Sequence, residues 1–161
     1  MDEPRHLFVD GYNVLYAWQW LRPGRDAGAA FEAARDRLIE AVRTIRDVEG
    51  LAVTVVFDGR GSTMATDAGT SGHGVTALFA PAGKTADSVI EHLVASAPDP
   101  HACTVATADA LERETVSASG GSCVSPEDLQ AWCERCRLRV TRAAARRGEQ
   151  TRASWGNKLP L

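Results

Sequence analysis

Short apolar runs rich in β-branched residues alternate with stretches of helical periodicity along most of this chain. That alternation constrains the fold more than any other feature. Strands separated by helices cannot form hairpins; they need crossover connections, and those give parallel pairing with helices on both faces of the sheet. Residues 6–9 form the first run and stop at Asp10-Gly11, and residues 52–57 form a continuous second run that stops at Asp58-Gly59. A strand apolar at every position is one buried on both faces. Residues 75–79, 103–107 and 122–124 supply three further strands.

Between them, Phe31, Ala34, Leu38, Val42, Ile45 and Val48 make one apolar stripe at helical spacing over residues 31–49, and Gly50 closes it. Residues 86–96 and 110–116 read as shorter helices. Ser125-Pro126-Glu127-Asp128 is a helix start, with a capping serine, proline in the first turn and acids behind it. The last helix then carries Leu129, Trp132 and Leu138. The expected architecture is a three-layer α/β sandwich on a mostly parallel five-stranded sheet. Residues 59–74 are rich in Gly, Ser and Thr without periodicity and read as a mobile loop. The apolar pattern fades after Ala144, so residues 1–143 read as one domain and 144–161 as a flexible tail.

Charge is divided between those parts. Of the 18 basic and 21 acidic residues, residues 135–161 hold 8 Lys and Arg against one Glu, so a net charge of −3 joins an acidic body to a basic end. A basic end suits a polyanion such as RNA or a ribosomal surface; a solvated helix accounts for it equally well. No apolar run is long enough to cross a bilayer, and residues 1–6 do not read as a signal peptide. The four cysteines are therefore expected reduced, in a cytoplasm. Monomer and homodimer fit equally.

In parallel sheets ligands bind beyond the carboxyl ends of the strands. Asp10 ends the first strand, Asp58 the second, and Asp109 follows the fourth; Asp87 lies in the first turn of the helix after the third, and Asn13 one turn beyond Asp10. Singly, each aspartate serves as a turn or cap residue. Four on one rim repel one another and call for a cation. Hard oxygen ligands of this kind suit Mg²⁺ or Mn²⁺, and metal-assisted phosphodiester hydrolysis is the chemistry they suggest.

These residues come in an ordered set. Phe8-Val9-Asp10-Gly11-Tyr12-Asn13-Val14, then Val55-Val56-Phe57-Asp58-Gly59, then Gly83-Lys84-Thr85-Ala86-Asp87-Ser88-Val89-Ile90, then Thr107-Ala108-Asp109 resemble the YacP-like NYN domains of the PIN-like nuclease superfamily. Val124-Ser125-Pro126-Glu127-Asp128-Leu129 is similar to that family's closing segment. The resemblance covers roughly residues 6–132 and leaves the basic tail outside. It implies a divalent-metal endoribonuclease that leaves a 5′-phosphate and a 3′-hydroxyl. Asp10, Asp87 and Asp109 would hold the metal directly or through water, Asn13 would orient Asp10 or a water, and Asp58 matches the second-strand acid. Ala108 stands where the family more often has serine, which removes a hydroxyl from the fourth motif.

Lys84 precedes the helix at 86–96 but lacks the rest of a phosphate-binding loop: Leu78 stands where its first glycine should be, and Pro81 offers no N–H. Lys84 and Arg60 are instead candidates to meet an RNA backbone. Tyr12, Trp18 and Trp20 are candidates to stack on unpaired bases, of which single-stranded RNA has many. Trp18 and Trp20 suit core packing equally, and Tyr12 is the one placed near the rim. Cys133 and Cys136 lack the second ligand pair of a zinc site and read as idle thiols, and no HExxH or GxSxG pattern exists. The readings that stay open are a metal-dependent endoribonuclease, a non-catalytic RNA- or ribosome-binding module on the same fold, and a phosphotransfer domain using Lys84 and Thr85.

Overall fold

The computed structural model describes residues 5–59 and 74–156, the side chains of 154–156 excepted. β1 (His6–Asp10) leads into α1 (Gly11–Ala17) and α2 (Ala29–Glu49); β2 (Ala52–Phe57) and β3 (Val75–Phe79) precede α3 (Ala86–Ala95). After a 3₁₀ turn at Pro100–Ala102 come β4 (Cys103–Ala106), α4 (Ala110–Ala118), β5 (Ser122–Val124) and α5 (Pro126–Gly156). The five strands form one sheet in the order β3-β2-β1-β4-β5. Every pairing in it is parallel.

The pleat explains why the strand sequences are largely apolar. Alternate residues face opposite sides. Leu7, Val9, Val55 and Phe57 pack with Leu38, Val42 and Ile45 of α2 and Leu129 of α5. Phe8, Val56 and Val105 pack with Ile90 and Val94 of α3 and Val116 of α4. Each such side chain removed from water stabilises the fold by about 1.5–3 kcal/mol before chain entropy is counted.

Local signals close the helices where the sequence places them. Gly50 takes the left-handed conformation (φ +70°) that ends α2, its N–H bonded to the Arg46 carbonyl. Thr85 caps α3 in a box with Ser88. Ser125 Oγ accepts from Asp128 N at 3.1 Å at the start of α5.

Two expectations change. The sequence pattern marks no helix over residues 11–17, yet β1 passes directly into α1. Seven residues are too few to show a periodicity. Gly11 is required at that junction, because a Cβ there would overlap the buried Phe57 ring. The expected tail is helical as far as it is described: α5 runs unbroken to Gly156. Its first turns bury Leu129, Cys133 and Cys136, but Leu138 and Val140 are exposed, so Leu138 is not a core residue. The apolar stripe fades because the helix outruns its neighbours, not because it ends. Among the described residues no helix is long and apolar enough to cross a membrane.

Candidate active site

The sheet order places the site. From β1 the chain steps outward to β2 and β3, then returns past β1 to β4 and β5. The order therefore reverses between β1 and β4, where the crevice of an open parallel sheet lies. Val9 pairs with Ala106, so Asp10 and Thr107 come next on the two strands, at the mouth of that crevice.

Asp10 is nearly buried and makes no capping bond to α1, so its carboxyl is not spent on helix geometry. Burial pushes that carboxyl above the usual carboxylate range. A bond with the Glu112 carboxyl opposes the rise, and the charges of Asp58, Asp87 and Asp109 add to it. Glu112, in the first turn of α4, is fully buried. Its carboxyl is pushed further up, first by burial and then by the Asp10 charge, against a 2.7 Å bond donated by Thr107 Oγ1 to Oε2. Glu112 Oε1 has no hydrogen-bond partner among the described residues. The charge of Asp10 thus disfavours ionisation of the buried Glu112 beside it. Glu91, one turn after Asp87 on α3, is also raised, first by burial and then by Asp87 and Asp109.

The other expected residues hold the frame. Asp58 Oδ1 accepts from Ala86 N at 2.7 Å, joining the end of β2 to the N-terminus of α3, which carries Asp87. Asn13 Oδ1 accepts from Ala108 N at 2.9 Å and so ties α1 to the β4–α4 turn across the crevice. Asn13 Oδ1 is thereby engaged by the backbone just before Asp109. Asp109 Oδ1 caps α4, accepting from Leu111 N at 2.9 Å and Glu112 N at 3.2 Å. Thr107 Oγ1 accepts from Asp109 N at 3.1 Å.

Tyr12 does not serve as a base platform. It is buried, its ring 5.4 Å from Phe31 and 5.1 Å from Phe57, and its hydroxyl accepts from Arg35 at 3.0 Å. Two residues past Asp10 the phase of α1 points this side chain into the core. Lys84 is exposed in the turn before α3, its N–H bonded to the Pro81 carbonyl. Arg60 lies outside the described residues, as does most of the loop expected at 59–74. Cys133 and Cys136 are buried free thiols, and burial pushes Cys133 up to about 12.

The sequence pattern gives Glu91 and Glu112 no part in the site. Glu112 reads as the reciprocal half of an Asp109 capping box, but its side chain turns inward to Thr107. An acid four residues after Asp87 on one helix face was the available signal for Glu91.

Among the described residues no three His, Cys, Asp or Glu side chains form a ready chelate for one ion. The set fits a different mode. Asp87 and Asp109 are at least partly open to solvent and face a buried Asp10, an arrangement for an ion held by one or two carboxylates with waters filling the shell.

The fold has solved relatives. The profile of the YacP-like NYN domain matches residues 7–160, so the match runs through α5 and includes the basic end that motif inspection left outside. YacP of Bacillus subtilis (strain 168) is 31% identical over 140 residues, which cover 84% of this chain and 79% of that protein. The crystal structure of Rae1 (YacP) from Bacillus subtilis is similar with a TM-score of 0.73 and 28% identity, covering 96% of this chain and 86% of that one. A point mutant of Rae1 gives a TM-score of 0.74 and 29% identity over 90% of this chain and 84% of its own. NYN domains are nuclease-like domains, and this chain belongs to the YacP-like NYN domain family.

Proposed function

We propose that this chain is a divalent-metal-dependent endoribonuclease acting on single-stranded RNA in the cytoplasm. One observation carries the reading: Asp10, nearly buried at the reversal point of the sheet, is raised above the usual carboxylate range first by burial and then by the charges of Asp58, Asp87 and Asp109. RNA binding alone gains nothing from such a cluster. Asp10, Asp87 and Asp109 would hold Mg²⁺ or Mn²⁺, with Glu112 and Glu91 behind them. The ion, when bound, supplies an acidified water as nucleophile and offsets the phosphate charge in an acidic pocket.

The protein's own groups do the rest. Asp58 holds the α3 N-terminus, and with it Asp87, at the rim. Asn13 holds the turn that presents Asp109. Lys84 meets a phosphate oxygen of the strand beside the carboxylates, and Arg60 clamps the backbone. In-line attack leaves a 5′-phosphate and a 3′-hydroxyl. The basic α5, with Arg135, Arg139, Arg142 and Arg146 repeating along the helix, docks the enzyme on an RNA or ribosomal surface.

The test is Mn²⁺-dependent cleavage of an end-labelled single-stranded RNA, run beside Asp10→Asn and Asp109→Asn. Asparagine keeps the α4 cap while removing the charge. Cutting abolished by EDTA and by both substitutions supports the assignment. RNA binding without any cutting overturns it in favour of a docking module, and equal cutting by the variants assigns the activity to a contaminant.

A further inference from the structure

A second feature lies on the layer formed by α1, α2 and α5, apart from the carboxylates. A groove of about 670 Å³ opens between α2 and α5. That is a volume suited to a small-molecule-sized group. Trp18 and Trp20 stand at its head with ring centroids 4.9 Å apart and planes at 68°. Trp18 is buried and fixed, its Nε1 donating to the Pro126 carbonyl at 2.7 Å. Trp20 is half-buried and reaches the groove. Between the two tryptophans Gln19 adopts φ +61°, a left-handed conformation that few residues other than glycine take. Such strain persists where the surrounding structure enforces it, and it clusters at ligand sites.

The charges in the groove are unequal in availability. Arg137 is neutralised by a two-pronged bond to Glu134, at 2.7 and 3.0 Å. The Arg37 guanidinium sits over the Trp20 ring, its carbon 3.7 Å from the ring centroid, and makes no ion pair among the described residues. A guanidinium already ordered by an indole is prepared for an anion, and its plane extends the stacking surface. A flat ring with negative charge beside it is a nucleotide. An acidic peptide would use the arginine but leave the aromatic layer idle.

The groove also lies where an RNA strand can reach it. Trp18 caps the far end of α1, which starts directly after Asp10 and is seven residues, about 10 Å, long. Glu127 and Gln130 line the groove from the first turns of α5, just beyond the carboxyl end of β5 and thus on the rim side of the sheet. We propose that this groove binds one nucleotide of the RNA strand, a few nucleotides from the cleaved bond, with its base on the Trp20–Arg37 stack and the strand's charge met by Arg37. The proposal rests on the nuclease reading above and adds a substrate-positioning subsite to it.

The experiment uses the full chain in EDTA, a short single-stranded RNA, the same strand made abasic, and an acidic peptide. Binding is read by tryptophan emission and by anisotropy of the labelled strand. Trp20→Leu is expected to weaken the base-bearing strand by roughly 5- to 150-fold, the worth of one base–aromatic stack, and to leave the abasic strand unchanged. Arg37→Gln, an exposed position where folding is not at stake, weakens both strands. With Mn²⁺, both variants raise KM and keep kcat. Trp20→Leu binding the base-bearing strand like wild type overturns the proposal, as does equal loss on the two strands. Binding of the acidic peptide but not RNA in this groove overturns it too. A wild-type chain that neither binds nor cuts RNA overturns the nuclease reading itself, a result distinct from a wild type that cuts and a Trp20→Leu variant that behaves identically.

Discussion

Substitutions at Asp58 separate two roles that an acid on this rim can have. Asp58 Oδ1 accepts from Ala86 N at 2.7 Å. That bond satisfies one of the free N–H groups at the start of α3 and places a negative charge at the positive end of the helix. Asp58→Ala removes it. The Asp58 side chain is exposed, so water takes over the freed N–H and the cost stays near the lower end of the capping range, about 1 kcal/mol. In a domain of this size that lowers Tm by about 2–4 °C. The consequence for activity is larger, because Asp87 sits on the turn that the bond holds. A displacement of about 1 Å in a positioned group costs on the order of 100-fold in rate. Asp58→Asn keeps an acceptor for Ala86 N without the charge. A positioning role therefore predicts a Tm near wild type and cleavage within about tenfold for Asp58→Asn, about 100-fold slower cleavage for Asp58→Ala, and near-complete loss only for Asp10→Asn. Melting by circular dichroism and steady-state cleavage at saturating Mn²⁺ read both quantities. If Asp58→Asn is as inactive as Asp10→Asn, Asp58 acts through its charge and the positioning argument is wrong. Unchanged Tm and rate in Asp58→Ala would mean the bond holds nothing.

Three further outcomes are expected. Gly11→Ala forces a methyl group into the Phe57 ring, which Tyr12 and Phe79 hem in, and should cost about 1–3 kcal/mol in urea unfolding with a slower enzyme, since α1 carries Asn13. Deleting residues 144–161 removes Arg146, Arg147, Arg152 and Lys158, and should flatten the dependence of log affinity on log salt by roughly 0.7 for each phosphate that the shortened chain no longer neutralises; an unchanged slope would show that the basic end touches no RNA. Burial holds the Cys133 thiol up to about 12, so its reactive thiolate is scarce at every ordinary pH. Iodoacetamide at pH 8 should spare Cys133 until the chain is unfolded, and should reach the half-buried Cys123 first, as peptide mapping by mass spectrometry will tell.

The local elements of this fold were legible from the sequence because their signals are local. A β-branched run between turn residues, a stripe at 3.6-residue spacing and a Thr85 or Ser125 cap each report on a handful of neighbouring residues, and all five strands stand where such signals put them. The acids at the strand ends were legible for the same reason, since in a parallel sheet every strand end shares one rim. Tertiary structure alone decided the strand order, which rests on pairings between distant segments and which turns that rim into a crevice between β1 and β4. It also decided the direction of side chains on short helices, where a few residues show no periodicity to read. The phase of α1 buries Tyr12, and the phase of α4 sends Glu112 beneath Asp10 instead of back to its cap. The length of α5 is a third case: a helix that leaves its neighbours loses its apolar stripe, so sequence periodicity marks where packing stops and not where the helix does.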